Sequence, residues 1–331
     1  MRVCVPRRAF SAAAPAGHDN PLGLPARNAP PPLPRRGLPP KRPIPHAAAV
    51  LAVASGKGGV GKSTVAVNLA VALAMHRTPA GTRPRVGILD LDIFGPSVPK
   101  LMGLDRADEP RLTPGGALVP LINHGLPCMS MGFLLPRPPG AQSSDDSPVV
   151  WRGLMVQKAV QQLLFDVDWR DGPDHRGPGL DLLVLDMPPG TGDVPLTLGQ
   201  LVTVDGALIV STPQDVALSD VRKGAAMFRK LSVPILGLLL NQAFYTCPSC
   251  AAPHHLYGPP DPFRATAARL GAPVLGELPV APGVSTGGDA GVPYVLLPEQ
   301  HRARDPAGWD RTMSAVAERV WAALSRDGAQ S

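Results

Sequence analysis

From residue 50 onward the chain alternates short, almost wholly apolar runs with longer stretches that mix apolar and polar residues. The runs at 50–55, 86–90, 182–186, 207–211, 235–241 and 274–278 are five to seven residues long. Because they are apolar at consecutive rather than alternate positions, they predict strands buried on both faces of a parallel sheet. The stretches at 63–75, 154–164, 219–231, 263–270 and 306–324 space their apolar residues as helices do. Together they predict one α/β domain, a mainly parallel sheet flanked by helices, rather than two domains. Segments rich in Pro, Gly, Ser or Asp at 136–148, 168–179 and 254–262 break the pattern and are predicted as surface loops or insertions.

Composition changes this picture mainly at the front. With 44% hydrophobic residues over 331 positions, the chain can bury a sizeable core. Eight of its 32 basic residues but one of its 26 acidic residues precede residue 47, leaving 24 basic and 25 acidic residues for the rest. The sequence pI of about 9.4 therefore describes a basic leader on a near-neutral body and gives no argument for a nucleic acid partner. Segment 1–46 also holds twelve prolines, so any helix in it is short. Its arginine-bearing, acid-poor start, with Ser11, Ala12, Ala13 and Ala14 following Arg8, Ala9 and Phe10, fits a mitochondrial presequence and linker. A disordered basic tail is the alternative. The predicted organisation is a leader at 1–46 and a folded domain at 47–325. No window approaches the roughly 18 uninterrupted apolar residues of a membrane span, so no integral span is expected. Four cysteines, Cys4, Cys128, Cys247 and Cys250, are too few for a disulfide framework in a chain of this length.

The candidate chemistry begins where the first predicted strand meets the first predicted helix, in Gly56, Lys57, Gly58, Gly59, Val60, Gly61, Lys62, Ser63 and Thr64. Two patterns overlap here. Gly56, Gly58 and Gly61 match the dinucleotide fingerprint, and Gly56, Gly61, Lys62 and Ser63 match the P-loop. A lysine followed by a hydroxyl is what a triphosphate with magnesium requires, Lys62 reaching phosphate oxygens and Ser63 ligating the ion. A dinucleotide site would instead want an acid about 20 residues on to hold a ribose. The next strand ends later, in Asp90, Leu91 and Asp92. The P-loop reading therefore prevails.

A P-loop site needs a second acid near the metal, at the end of another buried strand. Four apolar residues ending in Asp186 supply it, so Asp186 is expected to hold Mg2+. The segment 187–193 that follows, stiff at its prolines and permissive at its glycines, suits a switch sensitive to the γ-phosphate. Cys247 and Cys250, two residues apart just after a strand, can converge on one metal centre but supply half of a four-ligand site. On residues alone, an iron–sulfur cluster and a zinc ion with His254 or His255 are equally open, and a redox dithiol is a third reading. Cys128, in a small apolar stretch, reads as a buried structural thiol. Trp151 and Arg152 read as core packing or a partner surface.

These motifs carry a resemblance. The stretch from Lys57 to Ser63 resembles the deviant Walker A motif of the SIMIBI ATPases, the group of MinD, ParA and the nitrogenase iron protein. Residues 90–99, 186–193, 211–215 and 247–250 are similar to the Mrp/Nbp iron–sulfur carrier branch of that group. Residues 36–39, 128–133 and 151–155 narrow the resemblance to its mitochondrial members, assembly factors for respiratory complex I. It covers roughly residues 36–300. Gln242, where Met is usual, and Ser285-Thr286, where an Arg-Glu pair is usual, depart from the pattern. The resemblance implies a P-loop NTPase fold like that of MinD and the nitrogenase iron protein, and a homodimer in which Lys57 reaches the partner's phosphates. It further implies that Asp92 orients the attacking water, that Asn241 reads the adenine, and that Cys247 and Cys250 of two chains share a 4Fe-4S cluster. His254 and His255 are then loop histidines rather than ligands.

The expected protein is thus a carrier in the mitochondrial matrix. It binds ATP and Mg2+, hydrolyses ATP slowly through Lys57, Lys62 and Asp92, and hands a labile 4Fe-4S cluster to iron–sulfur recipient apoproteins, the complex I subunits. The alternatives are a positioning ATPase of the MinD/ParA type and a P-loop ATPase with a structural zinc. A positioning ATPase would want a basic amphipathic terminal helix. The last predicted helix instead balances Arg311 and Arg319 with Asp310 and Glu318, and its stripe of Met313, Val316, Val320, Trp321 and Leu324 reads as core.

Overall fold

The computed structural model describes residues 41–134, 153–172, 176–298 and 308–327. Most of the predicted leader, the insertion at 136–148, and Trp151 and Arg152 lie outside the described residues, as do positions 173–175 of the loop at 168–179.

Eight strands form one sheet: β1 (Val50–Ser55), β2 (Val86–Asp90), β3 (Leu121–Asn123), β4 (Leu126–Ser130), β5 (Leu182–Asp186), β6 (Gly206–Ser211), β7 (Ile235–Leu240) and β10 (Val274–Glu277). Their order is β10-β7-β6-β1-β5-β2-β4-β3. Every neighbouring pair is parallel except β3 with β4. A second, two-stranded sheet pairs β8 (Tyr245–Thr246) with β9 (Pro253–His254) in antiparallel fashion. The helices are α1 (Lys62–Met75), α2 (Val98–Leu101), α3 (Gly153–Phe165), α4 (Asp193–Leu201), α5 (Asp215–Lys230), α6 (Asp261–Leu270), α7 (Pro282–Asp289) and α8 (Trp309–Asp327).

All six predicted strands are present, within a residue of their expected ends. The mainly parallel α/β architecture is as the hydrophobic pattern predicts. β1, β2, β5 and β6 are buried at every position, which is why their sequences do not alternate. β3 and β4 escaped prediction for local reasons. β3 has three residues, and Pro127 in β4 argues against a strand, although it stands just before Cys128, Met129 and Ser130, the residues that pair with β2. α7 escaped as well, because a helix of sequence PGVSTGGD has little intrinsic propensity. Its glycines are needed for packing: a Cβ on Gly283 would stand 2.7 Å from the Tyr294 ring, and one on Gly287 would stand 2.8 Å from the Val292 carbonyl.

α1 is apolar around nearly its whole circumference, and its residues from Val65 to Leu73 are buried. A helix of this kind needs cover on both sides. The sheet covers one, and α8 packs on α1 with Met313, Val316 and Val320 fully buried and Leu324 nearly so. The apolar stripe of α8 is therefore core, as expected from its charge balance, except for Trp321, which is half-buried with its ring 6.3 Å from that of His76. Ahead of β1, the Arg42 amide donates to the Leu201 carbonyl at 2.8 Å and its guanidinium lies 4.4 Å from the centre of the Phe165 ring. Ile44 is buried in the same core, so the last residues of the predicted leader lie on the domain.

The parallel strands end together. Ser55, Asp90, Asp186, Ser211 and Leu240 are the last residues of β1, β2, β5, β6 and β7. In open α/β sheets the carboxyl edge is where ligands bind, and each candidate motif leaves the sheet there.

Candidate functional site

The loop from Gly56 to Gly61 joins β1 to α1, and its glycines do different work. Gly59 and Gly61 have φ of 79° and 80°, in the left-handed region that an L side chain rarely adopts. A Cβ on Gly56 would collide with the Cβ and backbone of Asp220, so this glycine lets the loop lie against α5. A Cβ on Gly58 or Gly59 would meet no heavy atom within 4 Å, and both residues open on a cleft of about 420 Å³. Ser55, Lys57, Gly58, Gly59, Gly61, Lys62, Ser63, Thr64 and Asp92 line that cleft, joined by Pro96, Ser97, Lys100, Leu101 and Pro189. α1 begins at this point with no side-chain cap and no acid in its first turn. Its free amides and positive dipole end make an anion site beside the open glycine backbone.

Lys62 is buried and its Nζ lies 2.5 Å from Asp186 Oδ1 and 3.0 Å from Ser63 Oγ. The other carboxylate oxygen, Asp186 Oδ2, is buried and has no hydrogen-bond partner. An orphaned carboxylate oxygen next to a hydroxyl is a donor set suited to magnesium, which takes one or two protein oxygens and completes its shell with water and phosphate. The residues present therefore fit the ion, and Ser63 and Asp186 are the two that could hold it. Burial pushes the Asp186 carboxyl above its ordinary range, against the opposing pull of Lys62.

Asp90 stands opposite Asp186 in the β2–β5 register and is fully buried. It accepts from the amides of Asp92 at 2.9 Å and Val98 at 3.1 Å and from Ser130 Oγ at 3.1 Å. Its role is to fold the 91–98 turn so that Asp92 faces the cleft. Desolvation first, and the Asp186 charge second, raise its pKa to about 7. Asp92 itself is raised by burial, with Lys62 opposing. On the other side, the segment after Asp186 is tied to β1 by Met187 N to Val53 O at 3.0 Å and Gly190 N to Ser55 O at 2.9 Å.

Lys57 lines the cleft, and its Nζ donates to Gln214 Oε1 at 3.4 Å, a long contact for an acceptor that Thr212 Oγ1 already holds at 2.7 Å. Asn241 lies under the loop: its Nδ2 donates to the Val60 carbonyl at 2.9 Å and its amide to the Ser211 carbonyl at 2.8 Å. Gly56, Val60 and Asn241 thus shape and brace the loop, while Lys57, Gly58, Gly59, Gly61, Lys62, Ser63, Thr64 and Asp92 face the cleft.

The cysteine pair sits on the β8–β9 hairpin, which follows β7 on the same edge of the sheet. Cys247 N donates to Ala252 O at 3.0 Å and Ala251 N to Cys247 O at 2.8 Å, closing the turn with Ala251 at φ 58°. Cys247 is half-buried and Cys250 exposed, and neither is in a disulfide. The amides of Cys250 and Ser249 lower the Cys247 thiol below its ordinary value, which favours the thiolate a metal needs. The Cys247, Cys250 and His254 donor atoms all lie within 4.8 Å of one another. His255 does not join them: its Nδ1 donates to the Ala243 carbonyl at 3.0 Å and its ring meets Phe244 edge-on. Cys128 is the buried structural thiol expected, its pKa pushed up to about 12 by burial.

Sequence reasoning missed three contributors. Asp90 was legible only as a strand end. Gln214 lies within the 211–215 motif but was given no role there, and Lys100 lies just past the 90–99 motif; they reach the site through the end of β6 and the 91–101 turn.

Comparison with known proteins places this geometry. The family model described as NUBPL iron-transfer P-loop NTPase, of the ParA group, matches residues 46–318. The mouse iron-sulfur cluster transfer protein NUBPL is 48% identical over 261 residues, covering 79% of this chain and 75% of the mouse protein. The Arabidopsis thaliana iron-sulfur protein required for NADH dehydrogenase, mitochondrial, is 44% identical over 247 residues, covering 75% of this chain and 71% of the relative. Among solved structures, a nucleotide-binding protein from Archaeoglobus fulgidus in complex with ADP aligns with a TM-score of 0.60 at 32% identity, covering 76% of this chain and 90% of that one. The match spans both the phosphate loop and the cysteine hairpin, and this chain belongs to the NUBPL iron-transfer family of ParA-type P-loop NTPases.

Proposed function

We propose that this protein is an ATP-dependent iron–sulfur cluster carrier of the mitochondrial matrix. Two chains hold a labile 4Fe-4S cargo between their Cys247 and Cys250 pairs and deliver it to subunits of respiratory complex I. The observation that carries this reading is that the triphosphate loop and the Cys247/Cys250 hairpin leave the same edge of one sheet, with Asn241, at the end of β7 that leads into the hairpin, bonded to the loop at Val60. The mouse and Arabidopsis relatives, named for cluster transfer and for NADH dehydrogenase, support the cargo and its destination. Segment 1–46 acts as presequence and linker up to the residues around Arg42 and Ile44, which already pack on the ATPase domain that continues through 47–325.

In this reading, Lys62 exchanges Asp186 for the β and γ phosphates when ATP enters, and the α1 amides and the Gly58–Gly59 backbone cradle the remaining oxygens. Ser63 and Asp186 would hold magnesium, which would supply charge neutralisation at the phosphates. Asp92, facing the cleft, orients water for slow hydrolysis. Lys57, whose in-chain contact is long, extends to the phosphates of the second chain. Asn241 positions the loop from below and presents its remaining polar edge to the base. The rival positioning ATPase would require an exposed amphipathic terminal helix, and the stripe of α8 is buried. No described helix is long and apolar enough to cross a membrane.

Anaerobic reconstitution with ferrous iron and sulfide tests the proposal. The wild-type protein takes up about four irons per two chains, with absorbance in the visible characteristic of thiolate-bound clusters. Cys247→Ala/Cys250→Ala does not. Equal iron uptake by the double variant would sink the carrier reading.

A further inference from the structure

We infer that His254 is a third metal ligand, and that Cys247, Cys250 and His254 of a single chain form a site for one zinc-class divalent cation with its fourth position open to solvent. This goes beyond the cargo reading, since it concerns the hairpin of an unpaired chain rather than the cluster shared by two, and it rests on Cys247 and Cys250 being metal-binding.

The hairpin register puts the three residues together. Tyr245 pairs with His254 and Thr246 with Pro253, so Cys247 is the next residue along β8 on the face that carries Tyr245. Side chains two apart on a strand share a face, and diagonal neighbours across an antiparallel pair are within reach of long side chains. His254 therefore lies diagonally across from Cys247 on one face, while the Cys247–Ala252 turn folds Cys250 back toward both. His255, one residue on, must point to the opposite face, and its bond to Ala243 and contact with Phe244 fix it there. One histidine braces the hairpin and the other faces the thiols.

The spacing suits a single ion. With metal–sulfur bonds of about 2.3 Å and metal–nitrogen bonds of about 2.0 Å, tetrahedral donors stand roughly 3.5 to 3.8 Å apart. Donors already within 4.8 Å of one another stand about 1 Å from that spacing. Two thiolates and an imidazole are a soft to borderline set that selects zinc-class ions over magnesium or calcium. Cys250 and His254 are exposed, so the fourth position is accessible to water, to another ligand or to the equivalent residues of a second chain. A three-ligand site also lets one chain hold metal before it meets its partner.

Anaerobic titration of the full-length protein with cobalt(II), a spectroscopic stand-in for zinc, tests the assignment. The expected result is one cobalt per chain on monomeric protein, with near-ultraviolet thiolate charge-transfer bands and strong visible bands of tetrahedral symmetry. Losing an outer-shell partner commonly costs 10- to 100-fold in affinity, so losing a ligand, in His254→Ala, weakens binding by at least about tenfold and reduces the visible bands. His254→Cys keeps tight binding with added thiolate intensity, and His255→Ala keeps the cobalt spectrum of wild type. Wild-type affinity and spectrum in His254→Ala, together with no binding by Cys247→Ala/Cys250→Ala, would overturn the His254 assignment and leave the carrier reading standing. One cobalt per two chains would overturn the single-chain site. Wild-type cobalt binding by the double cysteine variant would overturn this inference and the metal role of the pair together.

Discussion

At the scale of single residues, the most consequential side chain is one to which the motifs assign no role. Asp90 is buried, faces Asp186 across the β2–β5 pair and is held by three hydrogen bonds that shape the 91–98 turn. Its pKa of about 7 lies above the ordinary 3.8, so between those values the folded protein binds a proton that the unfolded chain releases. Stability contributed by this group is full below pH 4 and is lost as pH rises toward 7, with a slope of at most about 1.4 kcal/mol per pH unit. Asp168 and Asp181, lowered by Arg170 and Arg85, act in the opposite sense but below pH 4, outside that window. Chemical denaturation at pH 4, 5.5 and 7 should therefore show Asp90→Asn losing less stability over this range than wild type. Parallel pH profiles for the two proteins would dismiss the assignment of Asp90 as a protonated strut.

At the scale of elements, the phosphate loop is a strand end, a glycine bend and a helix start whose geometry depends on α5. Gly56 and Gly58 lie two residues apart with very different surroundings: a Cβ on Gly56 would collide with the backbone of Asp220 in α5, and one on Gly58 would meet nothing within 4 Å. Gly56→Ala should lower stability by about 1–3 kcal/mol in thermal or denaturant unfolding, the usual cost of overpacking. Gly58→Ala should unfold like wild type yet bind ATP more weakly by equilibrium dialysis, because the added methyl enters the cradle. If Gly58→Ala proved as destabilised as Gly56→Ala, the open-cradle description would be wrong.

At the scale of the whole molecule, two features look beyond one chain. Lys57 has a long contact with a glutamine that is already engaged by Thr212. The Cys247 and Cys250 pair supplies two of the four thiolates that a shared cluster would use. In the proposed dimer, a second copy approaching the carboxyl edge of the sheet would account for both. Lys57→Ala should then leave ATP binding within a factor of about two while lowering ATP turnover by at least about tenfold, as expected when a charge that stabilises the transition state is removed. Turnover equal to wild type would end the cross-chain role of Lys57. This measurement is independent of the cluster, since it is made on cluster-free protein supplied with magnesium.

Much of this is legible in the chain itself. Strands buried on both faces announce themselves as continuous apolar runs, and the order of lysine, hydroxyl and strand-end aspartate around a glycine loop has one common chemical use, so the α/β fold, the P-loop, Asp186 and the close cysteine pair all follow from local pattern. What local pattern could not supply was anything that depends on two distant segments meeting. β4 and α7 exist against their own propensities because β2 and Tyr294 pack on them. Asn241 and Gly56 belong to the loop's support because β7 and α5 pass beneath it, and the Asp90 carboxyl is raised first by its burial in the folded core and then by standing opposite Asp186. The two adjacent histidines were equivalent in sequence. A strand turns successive side chains to opposite faces, and the pairing of Tyr245 with His254 alone decided that His254 would look toward the thiols and His255 away.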